Sequence, residues 1–421
     1  MAEVFKSKKI CTPNQIVDGY LVVEGNKIVD VLNKYDGEYR DLGDKMIIPG
    51  IFDTHNHASG GYSVYGDSES DAAHYTDAQK NNEVSETRKS QEELSTNTGN
   101  YLKVLASLGV TSVFPTLFAT KTSQEEKDVI KSLRHYIGKN LDGAKALGIN
   151  FEGPFLNRTG EGADRYVPDP ISVDDIKEFV ELAQGTLAEM GLAPELPNGK
   201  EAIKFLLDNN VVPAMAHTDA KSQEAREAFD NGITVATHTC NVMTGIHHRN
   251  IGALGASLMD DRVYCELICD GLHVCNDMLQ LVLKLKDHDK VMLISDSSRF
   301  VGFPSGYYDF DTYKIHLDEE GRVLEGTSLN GSSKGVIFGI RNLVKNCGID
   351  LLDALHMACR VPSLKYGFNS KGELAKDMDA DFVIIDEDFN VYETYVEGNK
   401  VFDVNVDKMV LNPKVLERKY A

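Results

Sequence analysis

The residues that could do chemistry cluster in short, separate places. Asp53-Thr54-His55-Asn56-His57 carries two histidines two positions apart. On an extended chain, residues i and i+2 point the same way, so both imidazoles can reach one point. Neutral imidazole is the commonest metal ligand, which makes the pair a plausible half of a metal site. A pair of surface or turn histidines would look the same in isolation. Further along, four apolar runs each end in an ionisable side chain: Phe151-Glu152-Gly153-Pro154, Ala216-His217, Thr237-His238 and Ser295-Asp296. Together these residues supply nitrogen and oxygen ligands suited to a borderline divalent metal, and zinc, iron(II) or manganese are all chemically acceptable. A bound metal brings the pKa of its water toward neutrality. Asp296 is then the natural proton shuttle, taking a proton from water and passing it to a leaving amine. That chemistry is hydrolysis at an amide or a related C–N carbon.

Positioning such a set requires elements whose ends converge. The apolar run 47–52, bounded by Pro49-Gly50 and the polar 53–57, reads as a buried strand. Similar runs lie at 110–117, 146–151, 185–193, 211–216, 233–237, 263–269 and 291–295, each followed by a helical stretch. About eight strands alternating with helices over roughly 250–300 residues predict an α/β fold, a (β/α)8 barrel. A doubly wound open sheet is the alternative, but no GxGxxG follows the first strand. Barrels place their chemistry at the C-terminal ends of the strands, where His55, His57, Glu152, His217, His238 and Asp296 stand. The two ends of the chain resemble each other instead. Each has alternating strands joined at a turn, Glu24-Gly25-Asn26 and Glu397-Gly398-Asn399, and neither can bury a sheet face alone. The expected organisation is a small β-domain (a β-sandwich) from residues 1–48 and 366–421, flanking a barrel over 49–365. Residues 60–100 are a polar interruption after the first strand, expected at the barrel mouth as a lid or a solvated loop.

Composition narrows the function. The 421 residues hold 42% hydrophobic and 26% charged side chains, an ordinary globular composition. A net charge of −21 argues against nucleic acid or an anionic membrane as the main partner, though not against a small anion held locally. No apolar run approaches membrane-span length, and MAEVFKSKKI lacks a signal-peptide core. The seven cysteines include no CxxC pair, which suits free thiols in a reducing cytoplasm.

The ordered set HNH, EGPF, AH, TH and SD resembles the amidohydrolase superfamily, metal barrels with a split β-domain built by the two ends. Phe151-Glu152-Gly153-Pro154-Phe155, Leu192-Ala193-Pro194-Glu195, His238 followed by Asn241-Val242-Met243, Cys269-Asp270-Gly271-Leu272-His273 and the stretch 326–333 are similar to the N-acetylglucosamine-6-phosphate deacetylase family. The resemblance spans nearly the whole chain. It implies that Glu152, His217 and His238 are the principal metal ligands. His55 and His57 match a pair that helps form a second metal position in members possessing it. Asp296 matches the catalytic acid/base and a metal contact. His273 matches a histidine that contacts substrate and serves the catalytic step, and Arg249 an arginine that grips the sugar phosphate from a neighbouring subunit. Ala163, Asp164, Asn241, Val242, Leu329, Asn330 and Gly331 match segments lining the sugar. One or two divalent ions per subunit, zinc first, a homodimer, and a place in cytoplasmic amino-sugar catabolism follow from the same resemblance.

Three departures touch sugar or acyl recognition rather than the metal. Gly162-Ala163 is followed by Asp164-Arg165 where the family brings a histidine; Thr239-Cys240-Asn241-Val242 is smaller than the usual leucine and tyrosine; and residues 60–100 are longer. The expected reaction is therefore metal-dependent deacetylation of N-acetylglucosamine 6-phosphate. The galactosamine isomer, or another N-acyl or cyclic amide, is the alternative. Many relatives acting on cyclic amides bridge two metals with a carboxylated lysine, where this chain offers Glu152. A barrel that has lost catalysis and serves as a scaffold would not need a complete ligand set together with Asp296.

Overall fold

The computed structural model describes residues 2–65, 91–119, 122–157, 169–310 and 313–420. Pro49-Gly50 divides the apolar run expected as one strand into two strands of different sheets. Met46–Pro49 pairs with strands from both chain ends, and Ile51–Asn56 opens the barrel. The division has a steric cause. A Cβ at Gly50 would lie 2.2 Å from Thr111 Oγ1, so only glycine lets the chain cross against the next barrel strand there.

The barrel strands are β1 (Ile51–Asn56), β2 (Val110–Phe118), β3 (Ile149–Glu152), β4 (Leu187–Leu192), β5 (Val212–Met215), β6 (Val235–Ala236), β7 (Tyr264–Ile268) and β8 (Val291–Ile294), paired in that order and all parallel. The strands are buried nearly throughout, as expected where helices cover a parallel sheet. Most of the covering helices carry their apolar residues on one face, whereas Gly252–Met259 is buried on nearly every side. Two of them, Gln124–Leu133 and Val173–Ala183, start at serine N-caps, Ser123 and Ser172. Between β8 and β1 a regular ladder gives way to side-chain and isolated backbone bonds. The buried Asp53 carboxylate accepts from Ser295 N at 3.1 Å and from Ser295 Oγ at 2.6 Å. Asp296 N donates to His55 O at 2.9 Å.

The strands from the two ends form one sheet. Its order is Asn399–Asp403, Val391–Val396, Phe382–Ile385, Met46–Pro49, Glu3–Cys11, Ile16–Glu24 and Lys27–Leu32. Phe382 and Tyr395 stack at 4.3 Å in its core, with Phe5 edge-on to both. A further sheet, not anticipated from the sequence, lies between β8 and the last helices of the barrel. It comprises Gly306–Asp309, Lys314–Leu317, Arg322–Glu325 and Ser328–Ser332, and Lys419–Tyr420 joins its edge. Its strands are short and only partly buried, so their sequences carry a weak period. After Asp403 the chain therefore leaves the terminal sheet, and Val415 packs with Phe300 and Tyr308 beside the further sheet.

A buried cation ties the terminal sheet together. Lys371 Nζ lies 2.6 Å from Asp381 Oδ2, 3.1 Å from Asp379 Oδ2 and 3.6 Å from Glu397 Oε1. Lys371→Met should leave these carboxylates without their buried partner and destabilise the protein by about 3–5 kcal/mol. Thermal melts would check this; an unchanged melting temperature would remove Lys371 from that role.

Candidate metal centre

Glu152 is the last residue of β3 and is buried to 2% exposure at the C-terminal mouth of the barrel. Its Oε1 lies 2.8 Å from both His217 Nε2 and His238 Nε2. Its Oε2 lies 3.3 Å from His55 Nε2 and 3.2 Å from His57 Nε2. Asp296 Oδ1 completes the group, 3.2 Å from His57 Nε2 and 3.7 Å from His55 Nε2. The donors fall into two triads, His55–His57–Asp296 and Glu152–His217–His238, with the atoms of each within 4.8 Å of one another. Glu152 touches both.

Local backbone geometry aims these side chains. His217, His238 and Asp296 each stand two residues past the end of their strand, and all three adopt positive φ (42°, 30° and 47°). Non-glycine residues rarely sit there, and such strain collects at functional sites. Val242, a β-branched residue with φ 47°, adds to it in the loop after β6.

The electrostatics follow from this crowding. Burial disfavours the Glu152 charge, but the surrounding imidazoles outweigh burial and hold the carboxyl well below its usual range. Asp296 is likewise lowered against burial by His57 and His55. Burial works against a proton on His57, yet Asp296 and Glu152 together raise it to about 9. For His217, burial wins and its pKa falls. His55 Nε2 and His57 Nε2 face each other at 3.2 Å, an arrangement that requires a proton or cation between two nitrogen lone pairs. Nitrogen and carboxylate oxygen donors around a common point therefore fit a divalent ion of the zinc, iron or manganese type.

The other expected residues fall into three groups. The His273 side chain is largely enclosed beside this centre, with its Nδ1 2.7 Å from Asp270 Oδ2, and among the described residues its Nε2 has no hydrogen-bond partner. Ser332 Oγ donates to the same Asp270 oxygen at 2.8 Å, and Ser332 N donates to Asp296 O at 2.8 Å. Gly331 is thereby held against Asp296, while Leu329 and Asn330 face the neighbouring strand, Leu329 opposite Leu324 and Asn330 Nδ2 donating to Glu325 at 3.4 Å. A Cβ on Gly331, whose φ is 62°, would meet Asp296 O at 3.2 Å. Asn241 lends its carbonyl to His238 Nδ1 at 3.2 Å, and Val242 O accepts from Thr218 N just after His217. Arg249 is apart from this group. It is exposed on the loop after β6, beside the His247–His248 ring pair, and among the described residues no carboxylate pairs with it. Ala163 and Asp164, with Arg165 and most of the 60–100 interruption, lie outside the described residues.

Sequence reasoning missed one supporting carboxylate, Glu266, and quoted the other, Glu195, within a motif without assigning it a role. Glu266 of β7 faces His55 Nδ1 at 3.3 Å. Glu195 accepts from Thr218 Oγ1 and Asp219 N, both at 2.6 Å, directly after His217. The available signal was a charge within an apolar run: Glu266 stands alone in Val263-Tyr264-Cys265-Glu266-Leu267-Ile268, where an unpaired charge is unfavourable.

Comparison with known proteins agrees with this geometry. The sequence model described as the amidohydrolase family matches residues 46–401. An N-acetylglucosamine-6-phosphate deacetylase of Lysinibacillus sphaericus is 32% identical over 67% of this chain and 74% of its own. An N-acetylgalactosamine-6-phosphate deacetylase of Escherichia coli O157:H7 is 26% identical over 94% of this chain and 99% of its own. The crystal structure of the N-acetylglucosamine-6-phosphate deacetylase of Pasteurella multocida superposes with a TM-score of 0.79 at 25% identity, covering 95% of this chain and 99% of that one.

The His57 shift fixes the sign of a pH effect. Its folded-state pKa of about 9 lies above the unfolded value of 6.5, so its ion pairs stabilise the metal-free chain below pH 6.5. That contribution disappears as the pH rises through about 9. Melting of the chelated protein should therefore fall across this window, and a divalent metal, which takes the deprotonated imidazoles, should restore it at the upper end. A flat profile without metal would contradict the charge balance described here.

Proposed function

Since the chain belongs to the amidohydrolase family, we propose that it is a metal-dependent deacetylase, converting N-acetylglucosamine 6-phosphate and water to glucosamine 6-phosphate and acetate. The observation that carries this reading is the meeting of Glu152 with four imidazoles and Asp296 at the barrel mouth. In this reading Glu152, His217 and His238 hold the principal ion, and His55, His57 and Asp296 offer a second position. When bound, the ion polarises the acetamide and activates water at neutral pH. Zinc is the first choice.

The chain's own residues do the rest. Asp296, kept ionised by its histidine neighbours, accepts a proton from the attacking water and delivers it to the departing amine nitrogen. His273, with Nδ1 committed to Asp270 and its pKa raised against burial by that carboxylate, presents Nε2–H to the substrate as a positioned donor in its imidazolium form. Asn241, Val242, Leu329, Asn330 and Gly331 line the sugar, and the family resemblance assigns Ala163 and Asp164 to substrate binding as well. Arg249, exposed and, among the described residues, without a carboxylate partner, suits a phosphate through its planar guanidinium. We assign it to the neighbouring active site of a homodimer, in the cytoplasm. A second reading, the galactosamine epimer, is favoured by the smaller residues at Thr239 and Cys240 and by the relative acting on that sugar.

Amine release from N-acetylglucosamine 6-phosphate, N-acetylgalactosamine 6-phosphate, their unphosphorylated forms and one cyclic amide, at fixed metal, tests the substrate. Strong preference for the first is expected; preference for the second selects the epimer, and activity confined to the cyclic amide rejects the deacetylase reading. Asp296→Asn should lower kcat about 10²–10⁴-fold while a metal remains bound. Near wild-type turnover would exclude Asp296 as the proton carrier. Arg249→Ala should raise KM about 10–100-fold for phosphorylated sugars alone, the scale of a lost charge-assisted hydrogen bond. An equal loss with unphosphorylated sugars would separate Arg249 from the phosphate.

A further inference from the structure

We infer that Glu266 is a positioning residue for His55, and that it sets whether the His55–His57–Asp296 half of the centre retains an ion of its own. Glu266 is fully buried on the interior face of β7, and both of its carboxylate oxygens serve β1. Oε1 accepts from Thr54 Oγ1 at 2.9 Å and Oε2 faces His55 Nδ1 at 3.3 Å. With its Nδ1 proton directed at Glu266, His55 has one tautomer available, and its Nε2 lone pair faces Glu152, His57 and Asp296. A carboxylate behind an imidazole also makes the ligating nitrogen a stronger base. His238 differs, because its Nδ1 rests on the neutral carbonyl of Asn241. The two halves of the centre are therefore backed unequally.

The surroundings leave Glu266 few other uses. Its buried neighbour Glu189 is held by the Tyr366 hydroxyl and by Asn150 Nδ2 at 3.3 Å, and burial followed by the charge of Glu266 pushes Glu189 up to about 8. Glu266 also joins the two halves through its backbone, since Thr239 N, next to His238, donates to Glu266 O at 2.7 Å.

This inference rests on the metal centre of the proposed function, and its test reads metal rather than turnover. Cobalt(II) uptake by the full chain is titrated and counted by elemental analysis. The wild type should take two ions. Glu266→Gln keeps the side-chain shape but removes the charge; it should bind one ion as the wild type does and the other about 10–100-fold more weakly. Thr54→Val, which frees Oε1 without altering charge, should weaken the same ion by a smaller factor, and it carries the test if Glu266→Gln fails to fold. Two ions bound at wild-type affinity by these variants, equal loss of both ions, or a wild type that takes only one would overturn the inference. Absence of deacetylase activity in a wild type showing this asymmetry would reject the substrate reading and leave the role of Glu266 standing.

Discussion

A carboxylate buried at the mouth of a closed barrel persists only where cations or hydrogen-bond donors surround it. Glu152 meets that condition through four imidazoles, two on each oxygen, and the rest of the mouth is arranged around it. The imidazoles come from β1, β5 and β6 and Asp296 from β8, so no local motif could build the site. At the β8–β1 seam a side chain, Asp53, supplies part of the closure, and it stands two residues from His55 and grips Ser295, the neighbour of Asp296. Closing the barrel and assembling the metal centre are thus one event.

The same constraint explains the backbone strain. A strand that ended in ordinary extended conformation would alternate its side chains inward and outward. Positive φ at His217, His238 and Asp296 turns each chain sharply and directs the two imidazoles toward Glu152 and the Asp296 carboxylate toward His55 and His57. Each turn is then braced by a neighbour: Val242 O by Thr218 N, Asn241 O by His238 Nδ1, and Asp296 O by Ser332 N. The last brace brings in the further sheet, whose strand Ser328–Ser332 could not approach Asp296 so closely with a side chain at Gly331. The sheet thereby joins the mouth to Asp270 and His273.

How much of this was legible in the sequence depended on the range of the interaction. The barrel strands were readable because parallel strands covered by helices are continuous apolar runs, and six of them ended in or beside a residue of the centre or its supports. The run 47–52 misled because an apolar stretch does not reveal which sheet it serves; only the crowding of Gly50 against Thr111 separates the two strands. The further sheet was missed because strands such as Arg322–Glu325 are four residues long and half exposed. The roles of Glu266 and Glu195 were not legible for another reason, although Glu195 stands in the quoted motif Leu192-Ala193-Pro194-Glu195. Their role is to hold other residues, and their partners lie far away in sequence, so the only local trace was a charge in an apolar run. The candidate ligands were legible from their types and positions; the groups that orient them were not.

The central claim is that Glu152 organises a metal centre with His55, His57, His217, His238 and Asp296. The most direct measurement is anomalous scattering from crystals soaked in zinc or cobalt, recorded on both sides of the metal edge. The expected result is a peak bonded to Glu152, His217 and His238, with any second peak between His55, His57 and Asp296. A peak elsewhere, in crystals whose dissolved protein still releases acetate, would contradict the account.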